Sequence, residues 1–258
     1  MALAIRRLTA PNPGPMTGQG TNSYLVGERK VALVDPGPAS AAHADALLAA
    51  VPPGGRIVAI LATHGHGDHV DGLADLKART GAEVFGHAAL PGVEAALADG
   101  ETVSVDGCEL VALATPGHAD DHLSFWLPSE RVLFAGDLVA GAGTVVLSQT
   151  PGSLGRYLSS LEKLLALGSF RILAGHGPEL ADGPAKLREY LAHRAMREAQ
   201  IVEVLRSGPS TVDDLVARLY ADVPKGLHPM AARNVNAHLG LLEERGRARV
   251  DGGRWRLD

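Results

Sequence analysis

The chain has almost no cysteine and no long apolar run. Cys108 is the single cysteine among 258 residues, which excludes a disulfide framework within one chain and any cysteine-rich zinc site. That usage fits a reducing compartment. No stretch approaches the roughly 18 uncharged apolar residues that a membrane span needs. The apolar run ahead of Arg6 and Arg7 in MALAIRRLTAPNPGPM is too short for a secretory signal. The expected location is therefore the cytoplasm, with no membrane partner.

What is present is ordinary for a globular protein with a sizeable core: 46% hydrophobic and 21% charged residues. The 31 glycines and 16 prolines favour many tight turns. The formal charge of −5 is unevenly placed. Residues 1–184 hold 11 Lys+Arg against 19 Asp+Glu, whereas residues 185–258 hold 13 against 10. An acidic segment followed by a basic one points to two modules, 1–184 and 185–258.

Strand and helix patterns alternate through the first module. TNSYLVGERKVALVDPG reads as two strands around Gly27–Lys30, and SAAHADALLAAV as a helix capped by Ser40. RIVAILATH is a continuous apolar run, as expected of a strand buried on both faces. DGLADLKARTG follows as a helix closed by Gly81, then AEVFGH as a strand. TVSVDG, CELVALATPGH, LSFWLPSE, RVLFAGDLV and FRILAGHG are further strands. SLGRYLSSLEKLLALG is an amphipathic helix with Leu154, Leu158, Leu161 and Leu165 on one face. The pattern predicts layered α/β architecture with helices outside two sheets.

The second module reads as three helices and a hairpin. These are a long helix over 185–207, TVDDLVARLYAD with a Thr211 cap, HPMAARNVNAHLGLLEERG, and the hairpin RARVDGGRWRL. That is a winged-helix pattern. Period-two alternation places the hairpin arginines on one face and its apolar residues on the other.

The densest chemistry is in THGHGDH. His64 and His66 lie two apart where an apolar strand runs out, so both can project to one side. Asp68 and His69 stand near the start of the next helix and can face a second point. Adjacent residues do not easily serve one ion, so two ligand clusters favour two metals. Imidazole and carboxylate suit Zn2+, and less decisively Fe or Mn. Three more polar residues end apolar strands: His118 in ATPGHADDH, Asp137 in LFAGDLV and His176 in ILAGHGP. Five histidines and two aspartates suffice for two ions with room left for water. Asp35 in VDPG is either a brace for this site or a turn cap, and His122 is more readily a hydrogen-bonding neighbour than a proton donor. His43, His193 and His228 read as surface residues.

THGHGDH, TPGHADDH, FAGDLV and AGHGP, in this order, resemble the metallo-β-lactamase-fold hydrolases. The resemblance implies a four-layer αββα fold followed by a small winged-helix domain. It implies that His64, His66 and His118 hold one metal, that Asp68, His69 and His176 hold the other, and that Asp137 bridges them. The expected cofactor is two Zn2+ per chain, with Fe or Mn as alternatives. The expected reaction is attack by a metal-bridged hydroxide on an ester, thioester, amide or phosphodiester, with Asp68 as the catalytic residue that orients it and assists proton transfer. One departure is DHVDGL, where Asp71 stands at a position the family commonly fills with glycine, while Gly72 is retained.

NPGPMTGQGTNSYLVG and the winged-helix tail resemble the lactamase-β-like endoribonuclease group, which implies cleavage of single-stranded RNA. Arg245, Arg247, Arg249, Arg254 and Arg256 would form a basic wing able to meet phosphates. A second reading is a small-molecule thioester or ester hydrolase, glyoxalase II-like or acting on acyl-CoA or carrier thioesters. In that case the tail shapes the pocket or a contact in a homodimer. A third is a winged-helix nucleic-acid-binding regulator with a metal sensor domain, for which NVNAHLG is a poor basic recognition helix.

Overall fold

Strand alternation, rather than any single long helix, organises the chain. The computed structural model describes residues 3–141 and 143–258. A first sheet of six strands runs in sequence order: β1 (Ile5–Thr9), β2 (Asn22–Val26), β3 (Lys30–Val34), β4 (Arg56–Leu61), β5 (Glu83–Gly86) and β6 (Ala95–Ala96). Its β3–β4, β4–β5 and β5–β6 pairs are parallel. The second sheet comprises β7 (Thr102–Val105), β8 (Cys108–Ala114), β9 (Leu123–Leu127), β10 (Val132–Gly136) and β11 (Arg171–Ala174). Only its β10–β11 pair is parallel.

Period two decides which layer each side chain enters. In β2, Tyr24 and Val26 face the core between the sheets while Leu25 faces outward. In β3, Ala32 and Val34 join the inner core and Val31 and Leu33 the outer one. The outer face of the first sheet is covered by α1 (Ala41–Ala49) and α3 (Leu73–Thr80), through Leu47, Leu73 and Leu76. The outer face of the second is covered by α4 (Ser153–Leu165) and the start of α5 (Gly183–Arg206), through Leu154, Tyr157, Leu161, Leu187 and Tyr190. The result is the expected αββα sandwich. Ser40 caps α1 by accepting from the His43 N–H, and Gly81 closes α3 in the left-handed region.

The remaining helices build the C-terminal unit. α6 (Val212–Leu219) starts with a capping box in which Thr211 and Asp214 exchange hydrogen bonds. α7 (His228–Glu244) follows, then the hairpin of β12 (Ala248–Asp251) and β13 (Arg254–Leu257). Ile201, Val202 and Leu205, at the far end of α5, pack with Leu215, Val235, Leu239 and Leu242 in a core of their own. One long helix thus serves both cores. Of the described residues, no helix is long and apolar enough to cross a membrane.

Several sequence expectations are corrected. β1 and β6 had no sequence signal strong enough to assign them. β4 stops at Leu61, so His64 and His66 stand on a loop rather than on the strand. On α4, Leu154 and Leu161 are buried as expected, joined by Tyr157 and Leu164, whereas Leu158 and Leu165 are half-buried. His43 is not a surface residue: it is buried, and its Nε2 lies 2.9 Å from Ser23 Oγ. In the hairpin, Val250 is exposed, while Ala248, Trp255 and Leu257 turn to the core.

Candidate metal centre

The seven residues expected from sequence converge at one end of the sandwich, where strands run out into loops. His64 follows β4, Asp137 follows β10 and His176 follows β11, all at carboxyl ends of parallel-paired strands. His118 follows β8, and α2 (Gly67–Val70) carries Asp68 and His69. The loop bearing His64 is pinned between the two sheets: the Thr63 N–H donates to Asp35 Oδ1 at 2.8 Å, and the Leu123 N–H donates to the Thr63 carbonyl at 2.7 Å.

They separate into two groups of ligand atoms, each closed to within 4.8 Å: His64, His66, His118 and Asp137, and Asp68, His69 and His176. In the first, His64 Nε2 and His118 Nε2 each lie 3.0 Å from His66 Nδ1. Tetrahedral ligation at about 2.0–2.1 Å places ring nitrogens a little over 3 Å apart, so the spacing fits one ion. Asp137 turns Oδ1 to the second group, 3.3 Å from both His69 Nε2 and His176 Nε2, and Oδ2 to His118 Nε2 at 3.7 Å. Asp68 Oδ2 is 3.3 Å from His176 Nε2.

The surrounding hydrogen bonds fix which ring nitrogen faces inward. A carboxylate and a carbonyl can only accept, so His69 Nδ1 donates to Asp35 Oδ2 at 2.7 Å and His118 Nδ1 donates to the Val146 carbonyl at 2.7 Å. The Thr63 hydroxyl donates to Asp35 Oδ2 at 2.9 Å. It must therefore accept from His64 Nδ1, 3.0 Å away. In its neutral form each of these rings then presents a lone pair at Nε2, as metal-binding histidines do. His69 Nε2 is buried and has no hydrogen-bond partner among the described residues.

The electrostatics also call for a cation. The ion-pair partners of Asp68 and Asp137 among the described residues are all histidines. Burial works against a charged His69, yet Asp137 and Asp35 outweigh it and raise its pKa well above the usual value. Burial likewise opposes His176, but hydrogen bonds with Asp137 and Asp68 raise it to about 9. Asp68 is pushed up by burial and, more strongly, down by His176, His69 and Thr21, to about 2. His64 and His118, desolvated by burial, are held neutral. A divalent ion would supply the positive charge that protons provide here, and would compete with them.

Close packing keeps the centre open at its middle. A Cβ on Gly175 would lie 2.6 Å from both Asp137 Oδ1 and His69 Cε1, so only glycine fits between the groups. Gly72 is also tightly placed, though less so, with a Cβ meeting the Pro36 and Pro38 carbonyls at 3.0 Å. Asp71 is exposed and follows α2 as its C-cap. The glycine retained from the family pattern is thus the sterically required one.

Asp35 proves to be the brace, and it adopts φ 55° to reach His69. His122 is buried between Thr115 Oγ1, at 2.9 Å, and the Asp137 N–H, at 3.2 Å. Burial, then His118, lowers its pKa to about 3 despite Asp137, which suits a neutral neighbour rather than a proton donor. Sequence reading missed Thr21, whose hydroxyl donates to Asp68 Oδ2 at 2.9 Å, and Thr63. Thr63 adjoins the first histidine and could have been suspected. The Val146 carbonyl carried no signal, because any residue supplies one.

The wing arginines are engaged within the chain. Arg245 and Arg247 pair with Glu198, Arg249 with Asp258, Arg254 with Asp214 and Arg256 with Asp251. α7 is packed on two sides: Val235, Leu239 and Leu242 enter the C-terminal core, while Leu241 enters the core under α4.

A cavity of about 410 Å³ opens from the centre beside His118, Asp137 and His176. Pro15, Met16, Val145 and Val146 line it from the first unit, and Val223, Leu227, Met230 and Ala231 from the C-terminal one. No lysine or arginine is among its walls.

Comparison with known proteins agrees with this fold. Residues 16–102 and 91–176 match the metallo-beta-lactamase superfamily, and residues 211–255 match the beta-lactamase associated winged helix domain. The chain is 38% identical to a beta-lactamase-like protein 2 homolog of Caenorhabditis elegans, over 93% of this chain and 84% of that one. It is 35% identical to an atrochrysone carboxyl ACP thioesterase of Aspergillus chevalieri, over 88% and 76%. The crystal structure of a metallo-beta-lactamase family protein from Thermus thermophilus superposes with a TM-score of 0.83 at 27% identity, covering 98% of each chain.

Proposed function

The chain belongs to the metallo-beta-lactamase superfamily and is a hydrolase of that fold, and from this premise we propose that it cleaves thioesters or esters with an apolar acyl group. One observation carries the reading: beyond the metal-ligand residues, the cavity adjoining the two ligand groups has mostly apolar walls and, among the described residues, no lysine or arginine. A phosphodiester backbone would call for a basic track. The arginines offered by the wing are instead paired with carboxylates of the same chain.

His64, His66, His118 and Asp137 would hold one ion and Asp68, His69 and His176 the other, with Asp137 between them; zinc suits this donor set. When bound, such a pair of ions lowers the pKa of water and offsets negative charge building on the carbonyl oxygen. The chain does the rest. The apolar walls seat the acyl group and exclude water, directing the carbonyl towards His118, Asp137 and His176. Asp68, held ionised and anchored by the Thr21 hydroxyl, would orient the attacking water and take up its proton in passing, the acyl–sulfur or acyl–oxygen bond then breaking and the thiol or alcohol leaving with that proton. The winged helix acts as a wall of the active site.

The test sets single-stranded RNA beside acyl thioesters of increasing chain length, together with metal analysis. About two ions per chain, and thioester turnover that is lost in Asp137→Ala, are expected. RNA cleavage without thioester turnover would overturn the reading.

A further inference from the structure

Two neighbouring stretches of one helix face two sides of the metal centre. On α7, Met230, Ala231 and Asn234 line the apolar cavity, whereas Arg233 lines an adjoining groove with His66, His118, Asp121 and Gln149. His118 borders both spaces, so the ligand cluster lies at their junction. An acyl group seated in the cavity would leave its thiol or alcohol portion a path along the groove, because the two spaces meet at His118.

The charges there single out Arg233. Asp120 is held by Arg156 at 2.8 Å and by the Thr150 hydroxyl at 2.9 Å. Asp121 Oδ2 accepts from the Gly65 N–H at 3.1 Å. Arg233 is exposed, and among the described residues no carboxylate lies within ion-pair range of it, unlike the five wing arginines. Its backbone carbonyl accepts from Gln149 Nε2 at 3.5 Å, which ties this part of the helix to the groove.

We propose that Arg233 binds an anionic group, a phosphate, on the leaving-group side of the substrate, so that α7 reads both ends of one molecule: apolar acyl chain and charged thiol arm. This rests on the thioester reading above. A phosphate of this kind can belong to a free cofactor thioester or to an arm attached to a carrier protein, and the guanidinium chemistry is shared.

The experiment compares the same acyl chain on 4′-phosphopantetheine and on pantetheine, which differ by the phosphate alone. The wild-type protein should prefer the phosphorylated thioester through KM. Arg233→Gln should reduce that preference about tenfold, the size of one charge-assisted contact, and Arg233→Lys should restore part of it. An acyl-phosphopantetheine-bearing carrier protein, run in parallel, shows which source is used. A preference retained in Arg233→Gln, or equal losses on both thioesters, would overturn the proposal while leaving the thioester function standing. No turnover of either thioester by the wild type would defeat the functional reading itself, and the Arg233 proposal with it.

Discussion

Asp35→Asn is the sharpest probe of how the centre is held. Asp35 accepts three hydrogen bonds: from the Thr63 N–H on Oδ1, and from the Thr63 hydroxyl and His69 Nδ1 on Oδ2. Asparagine has the same shape and tolerates the left-handed backbone that this residue adopts at φ 55°. It keeps the acceptor towards the Thr63 N–H but puts an NH2 where Oδ2 was. His69 must then accept at Nδ1 and carry its proton on Nε2, the atom facing Asp137 and Asp68. A protonated Nε2 cannot ligate. Losing such a supporting partner costs about 10–100-fold in metal affinity, or roughly 1.4–2.8 kcal/mol. The loss should fall most heavily on the Asp68–His69–His176 group, with a smaller one at His64, whose tautomer Asp35 sets through the Thr63 hydroxyl. Titrating metal-free protein with Zn2+ against a chromophoric chelator should therefore show one phase weakened by that factor and a lesser change in the other. Urea unfolding of the metal-free forms would check that the fold survives. Two phases as tight as in the wild type would refute the tautomer argument.

Two further outcomes follow from the same geometry. Burial, then Arg194, Arg197 and His193, pushes His238 down to about 3, and neither ring nitrogen has a hydrogen-bond partner among the described residues. The unfolded chain, with a value of about 6.5, binds the extra proton first, so stability falls as pH drops from about 6.5 towards 3. His238→Leu should lessen that decline in urea midpoints measured at about pH 7 and pH 5; parallel declines would count against it. In the cavity wall, Met230→Ala should shift preference towards longer acyl chains and Met230→Trp towards shorter ones. An unaltered chain-length profile in both variants would show that the cavity does not hold the acyl group.

The sandwich was legible because period-two alternation is written locally: neighbouring residues such as Leu25 and Val26 enter different cores. Caps were legible for the same reason, as Ser40, Gly81 and Thr211 act within a few residues of themselves. β1 and the two-residue β6 were not, since β1 sets Arg6 and Arg7 between its apolar residues and β6 is a pair of alanines with no strand preference of their own. His43 resembled a surface histidine because its partner, Ser23, is twenty residues away.

The division of ligands illustrates both limits. The sequence by itself determined which residues could bind metal, because imidazole and carboxylate chemistry and the crowding of THGHGDH are properties of the chain. Only the tertiary structure decided which nitrogen of each ring faces inward, since that depends on Asp35, Thr63 and the Val146 carbonyl. It also decided the role of the C-terminal unit. Five arginines in a hairpin read as a nucleic-acid surface until their carboxylate partners were found, among them Glu198 on α5 and Asp214 on α6. Helix α7, unremarkable as a sequence, places Met230 and Arg233 on two sides of the metal centre. Composition travels with the chain, whereas charge neutralisation and pocket walls arise only when separate segments meet.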